Sequence, residues 1–210
     1  MGKLGLGCLG ILVVLAVILG VSFAGTYNRL VTLEQDVDRS WSEVENQYQR
    51  RADLVPNLVA TVQGAATFEK ETLTAVTEAR ASVGRATITP GKAPTDAESL
   101  ARFQAAQDQL GAALQRLLVV SERYPELRAN QNFRDLQAQL EGTENRITVA
   151  RARFNESGQA YNTLLKKFPT NLMAGFLGFE EKPYFKATSP GAAEAPKVQF
   201  NFSPSPAPAQ

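Results

Sequence analysis

Apolar residues recur at helical spacing along most of the chain, and this pattern predicts four long helices. In the first helix the apolar positions alternate at intervals of three and four residues from Tyr27 to Val55, interrupted only at Glu34. Pro56 follows directly. Because proline lacks an amide hydrogen and clashes with the preceding turn, we expect this helix to end or kink near Asp53 to Val55. A second helix is then predicted to start at the proline.

The second and third predicted helices are separated by a segment rich in turn-forming residues. The second apolar stripe runs from Leu58 to Val83, and residues 84–94 then hold two glycines and two prolines. Such a composition predicts a loop. The tetrapeptide TDAE at 95–98 has the pattern of a capping box, which predicts the start of the third helix. Pro125 predicts its end.

The fourth predicted helix has the most regular pattern, beginning near Asn130 and ending before Pro169. Bulky residues occupy every seventh position: Phe133, Leu140, Ile147, Phe154, Tyr161 and Phe168. Small residues are frequent midway between them, and such alternation suits interdigitating helices. Four helices with short connections predict an all-α fold, namely an antiparallel four-helix bundle with up-down-up-down order.

An uncharged apolar segment, Leu4 to Ala24, precedes these helices and predicts a single transmembrane helix. At ~1.5 Å per residue it is about 30 Å long, which matches the hydrocarbon core of a bilayer. A cleaved signal peptide is the alternative, but its apolar region is normally shorter. The predicted organisation is a transmembrane anchor (1–26), a helical bundle (27–186) and a disordered tail rich in Pro, Ala and Ser (187–210).

The predicted helix order places the end of the fourth helix beside the bilayer, near Tyr27. The segment that follows, Asn171 to Phe179, is strongly apolar. It is interpreted either as a contact with the membrane surface or as a flap packed on the bundle. The candidate membrane-contact residues are Leu172, Met173, Phe176, Leu177 and Phe179. Basic residues flank both ends of the span, so the positive-inside rule leaves the side of the membrane open.

Polar residues also fall on the predicted buried seams. Arg51 comes one heptad after Val44, and a buried guanidinium needs a carboxylate partner. Glu69 lies on the stripe of the second helix. The other candidate partners are Glu122, Glu141 and Glu144. Charged residues beside the seam of the fourth helix, namely Glu144, Arg146, Arg151 and Arg153, are expected to form interhelical salt bridges. Asn162 is predicted to lie at the level of Asn28, where a hydrogen-bonded pair would be structural.

The group Arg51, Asp53, Pro56 and Asn57 has two interpretations. The first is a recognition or switch site at the end of the bundle. The second is a capped helix junction, in which Asp53 caps the second helix and Arg51 ties adjacent helices together. The second, structural interpretation is favoured, because capping a helix and joining adjacent helices account for these residue types at a predicted helix boundary.

Composition excludes much of ordinary enzyme chemistry. The chain has a net charge of +1, contains no histidine, and has one cysteine, Cys8, within the predicted span. The usual general base near neutral pH, a Cys-based zinc site and an intramolecular disulfide are therefore excluded. We expect that the protein is not an enzyme and that it has no cofactor, no metal, no nucleic-acid partner and no small-molecule substrate. A membrane-proximal hydrolase using Ser/Lys or carboxylates is the alternative, although no serine lies in a recognisable nucleophile motif.

Three motifs in order, together with the N-terminal span, resemble the LemA family of bacterial membrane proteins, which includes MamQ. They are QRRADLVPNLV (49–59), ERYPELRANQN (122–132) and LEGTENRITVARARFN (140–155). The resemblance extends from about Tyr27 to Phe185. It implies a single-pass protein of the bacterial inner (cytoplasmic) membrane and, through MamQ-type relatives, a part in building membrane compartments. The expected function is a membrane-anchored scaffold or interaction module. Its expected partners are the lipid bilayer and an unidentified membrane or envelope protein, and homo-oligomerisation is left open.

Overall fold

The computed structural model describes residues 2–64, 69–86 and 88–186, and within these ranges the fold is all-α, with no strand. The helices are α1 (Gly2–Gln63), α2 (Lys70–Arg85), α3 (Ala97–Ser121), α4 (Pro125–Ala129), α5 (Gln131–Lys166) and α6 (Thr170–Leu177). The predicted disordered tail, 187–210, lies outside the described residues.

The first helix is far longer than the sequence pattern predicts, because the predicted span and the first core helix are one element. Large apolar side chains of α1 are exposed from Ile11 to Phe23, whereas Leu30, Val37 and Trp41 further along are fully buried. In the part of the chain that the structure describes, α1 alone is long and apolar enough to cross a membrane. An apolar surface of this length points to membrane anchoring.

The predicted helix break at Pro56 is wrong, because α1 continues through the proline to Gln63. Proline cannot donate to the carbonyl of Ala52, four residues earlier, and that loss normally disrupts a helix. Here Nε of Arg80, on α2, donates to the Ala52 carbonyl at 3.1 Å. A donor from a neighbouring helix therefore replaces the missing amide. The second predicted helix is divided between the end of α1 and α2.

The buried apolar side chains form two clusters, which we call the proximal core and the distal core according to their distance from the span. The proximal core contains Leu30, Val37, Trp41, Val44, Tyr48, Ala93, Leu100, Phe103, Ile147, Ala150, Phe154, Tyr161, Leu165, Ala174 and Phe185. The distal core contains Leu54, Val55, Leu58, Val62, Val76, Ala79, Leu110, Leu114, Leu117, Leu127, Phe133 and Leu140. Early residues of α1 meet late residues of α5 and the reverse, so these two helices are antiparallel.

Capping residues explain where two of the helices begin. The carboxylate of Asp96 accepts a 2.6 Å hydrogen bond from the amide of Ser99 at the start of α3, and this bond lowers the pKa of Asp96. The side chain of Asn130 accepts from the amide of Asn132 at 2.9 Å at the start of α5. Both predicted helix starts are confirmed, but α3 is capped by Asp96 and Ser99 and not by the predicted capping box of Thr95 and Glu98.

Two residues depart from their predicted positions on a buried seam. Five of the six heptad residues of α5 are buried, but Phe168 is 80% exposed, because α5 ends at Lys166. Glu69 was predicted on the buried stripe of the second helix. It precedes α2 and pairs with Arg123 at 2.6 Å near the surface, because the helix is interrupted after Gln63 and the register restarts.

Candidate functional site

The side chain of Arg51 ties three helices together between the two cores. It is 3% exposed, and its Nη1 donates to Oε1 of Glu144, on α5, at 2.8 Å. Its Nη2 donates to the backbone carbonyl and to the side-chain oxygen of Gln107, on α3, at 2.7 and 2.6 Å. The guanidinium also lies 5.0 Å from the ring centroid of Tyr48. The predicted burial of Arg51 and its pairing with a carboxylate are confirmed.

The rest of the predicted junction faces away from Arg51. Asp53, Pro56 and Asn57 are all exposed on α1. The carboxylate of Asp53 accepts a 2.8 Å hydrogen bond from Gln49 on the same helix, so the prediction that it caps a second helix is wrong. Of these four residues, Arg51 is buried and binds other helices, whereas Asp53, Pro56 and Asn57 are exposed to solvent.

An extended segment that the sequence analysis missed lies along α5. We call residues 180–186 the strap. The side chain of Asn162 donates to the carbonyl of Lys182 at 2.8 Å and accepts from its amide at 2.9 Å. Asn155, one heptad earlier, holds Phe185 in the same way, at 3.0 and 2.9 Å. Each carboxamide thus pairs with one strap residue as the backbone of an adjacent strand would.

Two side chains of the strap enter the helical domain. The ring of Phe185 lies 6.1 Å from that of Trp41 and 5.5 Å from that of Phe154, centroid to centroid. Lys182 is 6% exposed, and its Nζ donates to Glu34 at 2.9 Å. Glu34, the one interruption in the first apolar stripe, is therefore the carboxylate that a buried lysine needs.

Other polar residues of α5 have mixed outcomes against their predictions. Arg153 pairs with Glu43, on α1, at 3.3 Å, so an interhelical salt bridge is confirmed there. Arg151 binds the strap instead, and its guanidinium lies 4.7 Å from the ring centroid of Phe185. The predicted pairing of Asn162 with Asn28 is wrong, because Asn162 also donates to the hydroxyl of Tyr184 at 2.8 Å and Asn28 is exposed.

Helix α6 packs on the domain through one side only. Thr170 and Ala174 are buried, and Met173, Leu177 and Phe179 are partly buried. The other side carries Leu172 and Phe176, which are 68% and 90% exposed, and Phe168, two residues before the helix, is 80% exposed. We call these three residues the apolar ridge.

Both ends of α6 are fixed. Gly178 ends the helix with a φ of +75°, a left-handed conformation that residues with a side chain rarely adopt. Glu181, in the strap, accepts a 2.8 Å hydrogen bond from Lys166, which raises the pKa of that lysine. The ring of Phe179 lies 5.9 Å from that of Tyr27 at the base of the domain. Helix α6 therefore lies beside the end of the predicted span.

The described residues offer no metal site, since no three His, Cys, Asp or Glu side chains are grouped together there. Burial raises the pKa of Tyr48 and of Tyr161 above the ordinary tyrosine value, so both hydroxyls stay protonated near neutral pH. Several acidic side chains on the seams, such as Glu34 and Glu144, are paired with cations.

Comparisons with known proteins agree with the sequence motifs. A model of the LemA family matches residues 40–200. Magnetosome protein MamQ 2 of Paramagnetospirillum magneticum is 28% identical over 208 residues, covering 90% of this chain and 76% of the relative. Magnetosome protein MamQ of Magnetospirillum gryphiswaldense is 27% identical over 202 residues, covering 87% and 74%. Protein LemA of Metamycoplasma hominis is 21% identical over 166 residues, covering 79% and 71%.

Proposed function

The chain belongs to the LemA family, and from that premise we propose that it is a membrane-anchored scaffold. In this proposal an antiparallel four-helix bundle projects from the bacterial inner membrane and presents a binding face to another membrane or envelope protein. The name magnetosome protein, carried by its MamQ relatives, supports a part in organising a membrane compartment.

The observation that carries the proposal is the continuity of α1. One unbroken helix, Gly2–Gln63, contains both the predicted span and the buried residues that α1 supplies to the two cores. The 33 residues between Ala24 and Asn57 correspond to about 50 Å at ~1.5 Å per residue. With a flexible tether, the distance between the domain and the bilayer would vary, whereas a continuous helix holds its far end at a set distance from the bilayer.

Contacts between helices support the bundle arrangement. Arg51 on α1 binds α3 and α5, and Arg80 on α2 binds the backbone of α1. The two cores together receive buried side chains from α1, α2, α3 and α5. These are the four amphipathic helices that an up-down-up-down bundle requires.

The proposed binding face is formed by Asp53, Pro56 and Asn57. All three are exposed at the far end of α1, and the helix accommodates the proline there only because Arg80 satisfies the carbonyl of Ala52. Exposed polar residues on a rigid element are well placed for recognition, since little conformational entropy is lost when a partner binds. The complete absence of histidine supports a non-enzymatic role.

Crosslinking in native membranes tests this proposal. A photo-crosslinking residue at Asn57 of the full chain should yield one or a few adducts of defined mass, and an adduct of twice the chain mass would identify self-association. The control is the same variant with about ten Gly and Ser residues inserted after Gly25, which makes the tether flexible. We expect the insert to abolish the adducts while the helical CD signal persists. A lack of adducts, or adducts that the insert leaves unchanged, would overturn the proposal.

The side of the membrane is settled by labelling. In a Cys8→Ser background, Ser205→Cys should react with a membrane-impermeant maleimide before inner-membrane lysis if the bundle is periplasmic. If the bundle is cytoplasmic, the reaction should need lysis. The result restricts the search for partners to one compartment.

A further inference from the structure

We propose that α6 is a second membrane contact, and that its apolar ridge inserts into the interfacial region of the bilayer that α1 crosses. The inference rests on the membrane-anchored part of the proposed function. It assigns a lipid surface to Phe168, Leu172 and Phe176, which are the three most exposed large apolar side chains among the described residues beyond the span.

Two of the three ridge residues lie on one face of α6. Leu172 and Phe176 are four residues apart within the helix, so they lie on one side. Phe168 lies between the end of α5 and the start of α6 and is 80% exposed. Thr170 and Ala174, which are 4% and 3% exposed, occupy the opposite side. Of the five residues predicted to contact the membrane, Leu172 and Phe176 are exposed, whereas Met173, Leu177 and Phe179 are partly buried against the domain. The proposed contact therefore consists of Leu172 and Phe176, together with Phe168, which was not among the predicted residues.

The position of α6 places the ridge at the level of the bilayer surface. Phe179, two residues after α6, contacts Tyr27 through rings 5.9 Å apart. Tyr27 is three residues beyond Ala24, the end of the predicted span, and this is about 4.5 Å along the helix axis. That height falls in the headgroup region, where aromatic side chains are favoured.

The ridge is held facing outward. Asn162 pins the strap after α6, and α5 leads directly into it, so α6 cannot turn its ridge inward without breaking the buried hydrogen bonds to Lys182. Lys167, exposed immediately before Phe168, adds a cation suited to anionic headgroups. A preformed apolar ridge with an adjacent cation loses little entropy when it inserts.

The distribution of exposed apolar residues favours lipid over a protein partner. Among the described residues beyond the span, four large apolar side chains are more than half exposed: Val119, Phe168, Leu172 and Phe176. Three of them form the ridge, and Phe179, two residues after α6, contacts Tyr27 near the end of the predicted span. A patch near that level can be covered by the same bilayer as the span.

Lipid-quenched fluorescence tests the inference on the full chain in phosphatidylcholine/phosphatidylglycerol nanodiscs. In a Cys8→Ser background, an environment-sensitive dye is attached to Leu172→Cys. The matched control is Val119→Cys, since Val119 and Leu172 are 66% and 68% exposed. We expect a blue shift and at least twofold quenching by spin-labelled lipid at position 172, and neither at position 119. The double variant Phe168→Glu/Phe176→Glu should abolish the quenching at 172 without changing the near-UV CD spectrum.

A third labelled position separates this inference from membrane anchoring itself. Ile18→Cys, in the predicted span, should be quenched by spin-labelled lipid because Ile18 is exposed on α1. Quenching at 18 but not at 172 would overturn the second contact and leave the anchor intact. Absence of quenching at both positions would overturn both. A spectral shift at 172 that depends on the number of chains per disc, and not on spin-labelled lipid, would assign the ridge to a second copy.

Discussion

The two halves of the helical domain are built differently. The proximal core contains Trp41, Tyr48, Phe103, Phe154, Tyr161 and Phe185. The distal core is mainly leucine and valine, and Phe133 is its one fully buried aromatic residue among those the structure describes. Helix α2 supplies Val76 and Ala79 to the distal core but no residue to the proximal core, to which the strap supplies Phe185.

This difference shows how a domain with a short helix completes its interior. The distal half is closed by helices alone, and aliphatic side chains adapt easily to such packing. The proximal half is completed by an extended segment, which needs defined hydrogen bonds and ring contacts to stay in place. Arg51, between the two cores, fixes the relative positions of α1, α3 and α5. The proximal half, beside the membrane, therefore depends more on specific hydrogen bonds and ring contacts than the distal half does.

The largest effect should come from removing the central ring of the proximal core. We expect Trp41→Ala to lower the free energy of unfolding by about 4 kcal/mol, because a buried indole leaves a large cavity. Leu117→Ala, in the distal core, should cost about 3 kcal/mol. Only Trp41→Ala should also increase chymotrypsin cleavage after Phe185. Denaturation of the full chain in detergent, followed by CD, measures the first effect, and mass spectrometry of the digest measures the second.

A control with an exposed ring sharpens that comparison. Phe176→Ala should change the free energy of unfolding in detergent by less than about 0.5 kcal/mol, since Phe176 is 90% exposed. If both core variants released the strap equally, the two cores would be one cooperative unit and the contrast between them would be lost.

The residue between the cores should show the next largest effect. Arg51→Ala is expected to cost about 3 kcal/mol, because it leaves the buried side-chain oxygen of Gln107 without a partner and removes the ion pair with Glu144. Glu144→Gln should cost less than about 1 kcal/mol, since the Glu144 side chain is 49% exposed. Equal losses for the two variants, measured by the same denaturation, would mean that the ion pair rather than the bonds to α3 dominates.

Loss of a strap contact should have a moderate effect confined to the proximal half. We expect Asn162→Ala to cost about 2 kcal/mol, because the amide and the carbonyl of Lys182 lose their partner in a buried position. Amide hydrogen exchange should increase in the strap and leave the distal part of α5 unchanged. Asn155→Ala is the matched variant one heptad away, and exchange spreading evenly over both halves in either variant would contradict the division.

Apart from the comparison variants Phe176→Ala and Glu144→Gln, the smallest effect should appear in the distal half, at the proline. Arg80→Met should cost about 1 kcal/mol in the native chain, because the carbonyl of Ala52 loses its donor. With Pro56→Ala the helix regains an amide at that position, and Arg80→Met should then cost almost nothing. The double-mutant cycle thus predicts a coupling of about 1 kcal/mol. Independent, additive effects would show that Arg80 does not compensate for the proline.

The helical parts of this fold were predictable because they depend on periodicity. The seams of α1 and α5, the start of α3 at Asp96 and the burial of Arg51 all follow from local patterns and the need to pair a buried charge. The break predicted at Pro56 was wrong because the compensating donor, Arg80, is 24 residues away in sequence. A local rule contains no information about such a contact.

The strap could not be predicted from periodicity, because an extended segment held by side chains has no repeat of its own. Two signals were present in the sequence. Asn155 and Asn162 are one heptad apart beside the seam, and Glu34 interrupts an otherwise apolar stripe. Their partners, Phe185 and Lys182, become recognisable only when the chain after α6 is folded back on α5.

Because α1 is continuous, a tilt of its predicted membrane span also tilts the part of α1 that lies in the helical domain. Membrane-spanning helices tilt by roughly 20° on average, and the angle varies with the match between the span and the hydrocarbon thickness. From Ala24 to Gln63 the helix is about 59 Å long, so such a tilt displaces its far end sideways by about 20 Å. A thinner or thicker membrane would therefore move the outer end of the domain sideways by changing the tilt of α1.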